Sequence, residues 1–422
     1  MEQGGGSQGG RPATASPRPR TSPRVAAAAA APAAVRPWGD VFDNVLVTVS
    51  RFLRCRADRA QMACVNKHWH AAVTRQPPPP LPPLPALPPQ LPWLIFPNTE
   101  TPTFYSALTG RHHRCRLPPN ARRGRLCGSG DGGWLILALN SSHAHALYNP
   151  NTGHSVPLPP GFTSQSDNEY PLVVRAATLS AAPSPNPYMV AAIVLVRSRS
   201  TAAFWSEGSD SWFTSGGFLT VRPQDVVYFE GAFYFLTIRE GVISFRPGYG
   251  PNGSVNIHRV EYEVQKREDY DNDVAFVQGN GAVRRYLVVS RGRLLMVVRF
   301  VYDEMGTEMF RVFRFRVTVP FLRKPLAIWE HVGDQLDGRM LFLGPGCSRS
   351  FEVAQYDGFQ DHESMIFYLD ESFDSVPSAD GRRLYSFIDM GRYSMVDMTS
   401  VAWPPGDHPT RSDNAPPTWW LH

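Results

Sequence analysis

Short runs of β-branched and aromatic residues follow one another from about residue 93 to residue 403, and no long amphipathic helix separates them. A parallel α/β sheet needs a helical crossover between neighbouring strands, so the pattern favours antiparallel meanders. The runs at 134–139, 189–196, 225–229, 232–238, 242–245, 286–289, 294–301, 310–319 and 365–369 have strand length and strand composition. Glu230-Gly231 separates one pair, Arg239-Glu240-Gly241 the next, and Arg291-Gly292 another. Short Gly-containing breaks of this kind predict hairpins. About 310 residues of successive meanders are too many for a simple sandwich. A mainly β fold, a β-propeller of about six to seven blades at about 40–50 residues each, accommodates them. Two separate β-domains are the alternative.

The front of the chain has a different period. Val41, Phe42, Val45, Leu46, Val49, Phe52 and Leu53 recur at spacings of one, three and four, the stripe of an amphipathic helix. Asp40 is placed to cap it, and Asp43 adds negative charge to its first turn. Asp58 suits the cap of a second helix over 59–65, and Asn66 that of a third carrying Trp69 and Val73. Three helices this short have too small a core to stand alone. A partner is therefore expected to cover the excess apolar surface; packing on the rest of the chain is the alternative.

Residues 77–92 hold ten prolines and predict a stiff extended spacer, at about 3.1 Å per residue, that holds the helices away from the β body. The expected organisation is a disordered low-complexity tail over 1–37, a helical module over 38–76, the Pro-rich linker over 77–92, the β body over 93–403 and a C-terminal tail over 404–422.

The net charge of +5 is unevenly placed: residues 1–37 hold five arginines and one acid, so the rest of the chain is near neutral at +1. That balance does not suit a nucleic-acid binder. No apolar stretch reaches membrane-spanning length, and no secretory signal is evident, so no membrane association is expected. Five scattered cysteines suit reduced thiols, and the expected location is the cytoplasm, the nucleus or both.

Candidate chemistry is thin. Gly128, Gly130 and Gly133 match a dinucleotide-binding pattern, but a strand rather than a helix follows, so a hairpin turn is expected. His112, His113, Cys115, Cys127, His143 and His145 lack zinc spacing. Asp269, Asp271 and Asp273 alternate like calcium ligands, yet Val274 stands where the loop needs Gly; a solvated acidic loop is expected. The stretch from Arg111 to Arg125 carries six arginines and two histidines and reads as a solvated face, with an anion or acidic partner as the alternative. Asn140 and Asn252 begin glycosylation triplets expected to be unused. No catalytic, cofactor-binding or metal residue is assigned, and no enzyme activity is expected.

Trp38, Asp40, Val45, Leu46, Asp58, Val65, Lys67 and Trp69 fall where the F-box has its own marks, and the segment resembles that family. Two features depart: Val41-Phe42 replaces the usual Leu-Pro, and Asn66 stands where Cys is common. The later half resembles the plant F-box proteins that carry a kelch-like, KIB-type propeller. The resemblance rests on Gly128-Ser129-Gly130-Asp131-Gly132-Gly133-Trp134-Leu135, on Asn149-Pro150-Asn151-Thr152-Gly153 with Leu158-Pro159-Pro160, and on Leu341-Phe342-Leu343-Gly344 with Cys347-Ser348-Arg349-Ser350-Phe351. Ile366-Phe367-Tyr368-Leu369-Asp370 and the block from Asp389 to Met395 extend it. The Asn-Pro-x-Thr-Gly block is turn chemistry, with Gly153 supplying positive φ.

This resemblance implies a substrate-recognition subunit of an SCF-type cullin-RING ubiquitin ligase. Its F-box would dock on a Skp-family adaptor, and through it on cullin, and its propeller would hold an unknown protein substrate. A non-ubiquitin binding scaffold or a propeller enzyme is the alternative. The residues expected to meet the adaptor are Val41, Phe42, Val45, Leu46, Val49, Phe52, Leu53, Val65 and Trp69, some of which must instead face the module's own core.

Overall fold

The hairpin signals hold in three dimensions. In the computed structural model Pro223–Phe229, Ala232–Thr237 and Val242–Tyr249 pair antiparallel in chain order. Glu230 and Gly231 turn with φ of 46° and 77°, and Arg291 and Gly292 with 48° and 64°. Positive φ at both positions gives a turn whose twist matches the flanking strands. The structure describes residues 37–74 and 89–422, apart from 98–99, 123, 140–143, 164–168, 184–186, 197–198, 215–218, 251–254, 303–305, 321–322, 371–374, 378–382, 387, 407–410 and 413–414. The tail over 1–36, linker residues 77–88, Asn140, His143 and Asn252 thus lie outside the described residues.

Six blades form among the described residues. Blade 1 contains Trp93–Phe96, Thr103–Ser106 and Arg111–Arg114. Blade 2 contains Gly124–Gly130, Trp134–Leu139, Ala144–Tyr148 and Ser155–Leu158. Blade 3 contains Val173–Leu179, Met189–Val196 and Arg199–Ser206. Blade 4 adds Val255–Glu261 to the hairpins already given. Blade 5 is built on Gly281–Ser290, Arg293–Tyr302, Gly306–Val319 and Leu326–His331. Blade 6 pairs Arg339–Phe342 with Arg349–Glu352 and Met365–Tyr368, followed by Gly391–Ser394 and Thr399–Ala402.

Each neighbouring pair of blades shares an apolar core, and this explains the nearly unbroken apolar strands. On Met189–Val196, Val190, Ala192, Val194 and Val196 pack toward blade 2, whereas Met189, Ala191 and Ile193 pack toward blade 4. On Trp134–Leu139, Leu135 and Leu137 pack against blade 1, and Trp134 and Ile136 against blade 3. Blades 6 and 1 share a core through Phe342, Phe367, Leu94 and Trp419.

That last interface corrects the expected C-terminal tail. Thr418–Trp420 pairs antiparallel with Trp93–Phe96 and becomes the innermost strand of blade 1. Its three residues are buried; Trp419 Nε1 donates to Leu343 O at 2.7 Å and Trp420 Nε1 to Gly133 O at 2.9 Å. The last strand of the chain thus closes the ring onto the first, which leaves no open sheet edge at the seam.

The three expected helices are present with shifted starts: α1 over Asp43–Phe52, α2 over Arg56–Ala63 and α3 over Lys67–Thr74. Helix α1 begins after Phe42 without a side-chain cap, rather than at Asp40. Helix α2 begins after Cys55, so Asp58 lies in its first turn instead of capping it. The cause is tertiary: Cys55 is wholly buried among Trp93, Phe104 and Trp420, which fixes where the chain can turn. Asn66 caps α3 as expected, its Oδ1 accepting the Trp69 N–H at 2.8 Å.

Candidate docking surface on the N-terminal helices

The nine residues singled out in the helical module divide into two sets. Leu46, 1 % exposed, packs with Met62 and Ala72, and Val41, Leu53, Trp69 and Val73 close around them. Phe42, Val45, Val49 and Phe52 face outward at 78, 45, 43 and 79 % exposure, and Val65 does so at 55 %. Steps of three, four and three along α1 put the four outward residues on one stripe. Two stripes one residue apart therefore run side by side: one makes the module's core, the other leaves it. Trp38, absent from the expected contact set, is 62 % exposed, and its carbonyl accepts the Trp69 Nε1 proton at 2.9 Å. An apolar residue just before a short amphipathic helix was the signal for it.

The turn between α1 and α2 is seated on the propeller, contrary to the expectation that the Pro-rich linker holds the module apart. Ser106 Oγ donates to Cys55 Sγ at 3.3 Å. Arg54 Nη2 meets Asp357 Oδ2 of blade 6 at 3.0 Å. Gln61 Nε2 donates to His113 Nδ1 at 3.3 Å, and burial pushes that imidazole's pKa down. Gln90, at the end of the linker, clasps both sides of the turn: its Oε1 accepts the Arg56 N–H at 2.8 Å and its Nε2 donates to Arg54 O at 2.7 Å. Arg59 Nη1 donates to Leu53 O at 2.5 Å and to Arg54 O at 3.1 Å, satisfying carbonyls at the end of α1. The geometry can present an apolar helical face at a fixed angle to the propeller; the anchoring uses the turn and leaves the stripe uncovered.

The other sequence candidates resolve into structure. Gly128 and Gly130 lie on the first strand of blade 2, paired with Ile136 and Trp134, and Gly133 lies in the turn that follows, where a Cβ would stand 2.4 Å from Asn151 Nδ2. His112 and His113 lie on the outer strand of blade 1, whereas Cys127 belongs to the core between blades 2 and 3. Among the described residues no three His, Cys, Asp or Glu side chains converge as a metal site. The arginine run is split: Arg111 and Arg114 are the two ends of the outer strand of blade 1, and Arg125 is the second residue of the first strand of blade 2. The Asn149 turn forms as expected, with the Gly153 N–H donating to Asn149 O at 2.8 Å.

The acidic triplet is a correction. Asp271 and Asp273 lie in the first turn of the helix Tyr270–Gln278, and Asp273 is buried. Its Oδ2 accepts from Arg267 Nη2 at 2.8 Å and Arg285 Nη2 at 2.9 Å, and the same two arginines clamp buried Glu240. A buried carboxylate persists only when paired; Arg267 and Arg285 flank it in sequence, but the Glu240 that completes the network lies on a distant turn.

Residues 104–398, well over half of the 422-residue chain, match the sequence model of the KIB1-4 beta-propeller family. An F-box/kelch-repeat protein of Arabidopsis thaliana is 28 % identical over 216 residues, covering 50 % of this chain and 56 % of the relative. The chain thus spans about half the length of the curated relative it matches. Among solved structures, the N-terminal domain of Nup159 aligns at a TM-score of 0.33 with 7 % identity, over 76 % of this chain and 74 % of that one. The dihydro-heme d1 dehydrogenase NirN aligns at 0.30 with 13 % identity, over 83 % and 84 %. Likenesses this distant carry no argument about function. The family match runs from the second strand of blade 1 into blade 6, and on that ground the chain belongs to the KIB1-4 beta-propeller family.

Proposed function

We propose that this chain is the substrate-recognition subunit of an SCF-type cullin-RING ubiquitin ligase. The helical module docks on a Skp-family adaptor, and through it on cullin, while the propeller holds a protein client. The observation that carries the reading is the exposed stripe of Phe42, Val45, Val49 and Phe52. Four large apolar side chains on one helical face of a small module mark a surface that a partner covers. The relation to an F-box/kelch-repeat protein agrees with it.

The mechanism is proximity. The ligase brings a charged conjugating enzyme beside a held client and raises the local concentration of the reacting lysine. This chain then supplies binding and positioning and acts as a non-catalytic adaptor. Its place of work is the cytoplasm or nucleus, in keeping with five free thiols; among the described residues no helix is long and apolar enough to cross a membrane.

The seating of Cys55 and Arg54 on the propeller favours a second reading, a binding scaffold whose helices serve only its own fold. Co-expression with a Skp-family adaptor separates the two. The wild type is expected to co-purify with the adaptor, and Val45→Asp with Phe52→Asp to lose it while remaining folded, because a charge would enter a buried apolar contact. Equal adaptor recovery with both forms favours the scaffold.

A further inference from the structure

The outer edge of a sheet offers unpaired N–H and C=O groups, and proteins guard it with charge, proline or a covering segment. Most of the blades do so. The outer strand of blade 1 carries Arg111, His112, His113 and Arg114, and that of blade 2 carries Pro157. The outer strand of blade 4 holds His258, Arg259 and Glu261. In blade 5 Glu263–Val264 lies parallel along Leu326–His331. In blade 3 the outer strand opens on Arg199, and Phe213 bridges it at Phe204.

Blade 6 differs. Its outer strand, Thr399–Ala402, pairs with Gly391–Ser394 on one side and with no strand on the other among the described residues. All of its residues are exposed and none is charged. Val396, Met398 and Val401 add large apolar side chains at 56, 69 and 52 % exposure. The pairing fixes where the backbone points. The Trp403 N–H donates to Met390 O at 3.5 Å, so residues 399, 401 and 403 turn their peptide groups toward the inner neighbour. Ser400 and Ala402 therefore turn theirs outward. This row is short, because Pro404 ends it.

The strand's two faces are distinct. Ser400 Oγ meets the Tyr368 hydroxyl on the side of blade 5. Val401 lies on the opposite face with Trp403, which packs against Tyr105 of blade 1. Just before the strand, Asp397 accepts the Ser394 hydroxyl proton at 2.8 Å, and no cation pairs with it among the described residues. The edge stands near the seat of the helical module: Arg392, opposite Val401, reaches His362 Nε2 at 3.5 Å, and Asp357, shortly before His362, takes Arg54.

We propose that the outer edge of blade 6 is the client site. It takes an extended segment of the client protein, rich in Val, Ile or Thr, added antiparallel as a further strand with Lys or Arg at its C-terminal end. This rests on reading the propeller as the client-binding body. The outward backbone groups select the occupant's conformation, since an extended chain matches their alternation. Met398 and Val401 favour β-branched side chains across from them. An antiparallel segment finishes beside the start of Thr399–Ala402, where Asp397 stands, and this places its cation. A second copy of this chain fits less well, because so short a strand pair buries far less than the roughly 1,600 Å² of an ordinary protein interface.

The test uses the full chain, immobilised, with a degenerate pool of short peptides whose retained sequences are read by mass spectrometry. Val-, Ile- and Thr-rich sequences with a basic C-terminal residue should be enriched about tenfold over the input. Val401→Lys puts charge on the edge, and Ala402→Pro removes an outward N–H without touching the inner pairing; each should lose the enrichment with an unchanged urea transition. A peptide made to the retained consensus should slow amide exchange over residues 398–402. Methylating one alternate set of its backbone nitrogens should weaken binding about tenfold, and methylating the other set should not. This last comparison uses the wild-type chain and so holds even where a variant fails to fold. No enrichment, the same enrichment on both folded variants, or equal binding of the two methylated peptides overturns the proposal. A dimer in sedimentation that Val401→Lys dissolves, with no peptide retained, overturns it in favour of a second copy. Adaptor capture by the same samples keeps the readings apart: a chain that retains peptide but not adaptor leaves this edge standing and removes the ligase role.

Discussion

Removing residues 418–422 tests whether the ring closes through its last strand. Trp419 is fully buried against Phe342 at 5.0 Å and Trp403 at 5.9 Å between ring centroids, and it donates to Leu343 O. Trp420 stacks edge-on against Trp93 at 5.0 Å and donates to Gly133 O. Replacing one buried Trp by Ala costs about 3–5 kcal/mol, and each orphaned carbonyl adds about 1 kcal/mol or more. Loss of both rings therefore removes about 8–12 kcal/mol, comparable with the whole stability of an ordinary domain, about 5–15 kcal/mol. A chain ending at residue 417 should lose its cooperative urea transition, whereas Trp419→Phe, which keeps most of the ring area, should shift it by about 1–2 kcal/mol. Urea unfolding followed by tryptophan fluorescence and circular dichroism reads both. A truncated chain with the wild-type midpoint would refute the closure.

Three further outcomes follow from the same contacts. Phe52→Asp should change unfolding free energy by no more than about 0.5 kcal/mol, as an exposed site does, whereas Leu46→Asp should melt the helical module, seen as lost helical circular dichroism. Asp273→Asn should cost about 3–5 kcal/mol in urea titrations, because Arg267 and Arg285 keep buried charge with one partner fewer. Burial against Trp93 and Trp420 holds His422 down at about 3 from an ordinary 6.5. The unfolded chain then takes up a proton that the folded chain refuses, so this contribution is whole above pH 6.5 and falls as pH drops toward 3; between pH 6.5 and 5 the loss should reach about 1–2 kcal/mol, and His422→Gln should lack it.

The sequence was readable where local chemistry and final environment agree. Met189–Val196 and Trp134–Leu139 are apolar on both faces because each blade is covered by two others, and they stand out as unbroken runs. Glu230-Gly231 and Arg291-Gly292 need positive φ, and the residue types say so. Thr418–Trp420 escaped because three residues carry no period, and their partner strand lies more than 300 residues away. Asp273 looked solvated because the arginines that bury its charge, Arg267 and Arg285, also bridge it to Glu240 on a distant turn, a network no short window displays. In the helical module the composition marked the apolar residues but not their direction: 42, 45, 49 and 52 point out while 41, 46 and 53 point in, and offset by so little the two stripes read as one broad face. The seating of Cys55 was hidden for the same reason as the closing strand, since nothing local marks a turn residue as the anchor of a distant core.

Amide hydrogen exchange of the full chain with and without a Skp-family adaptor bears most directly on the docking face. A bound adaptor should slow exchange over 42–52 and around Val65, with Thr418–Trp420 unchanged. Protection that falls on the propeller instead, or an α1 that exchanges alike in both samples, would contradict the account.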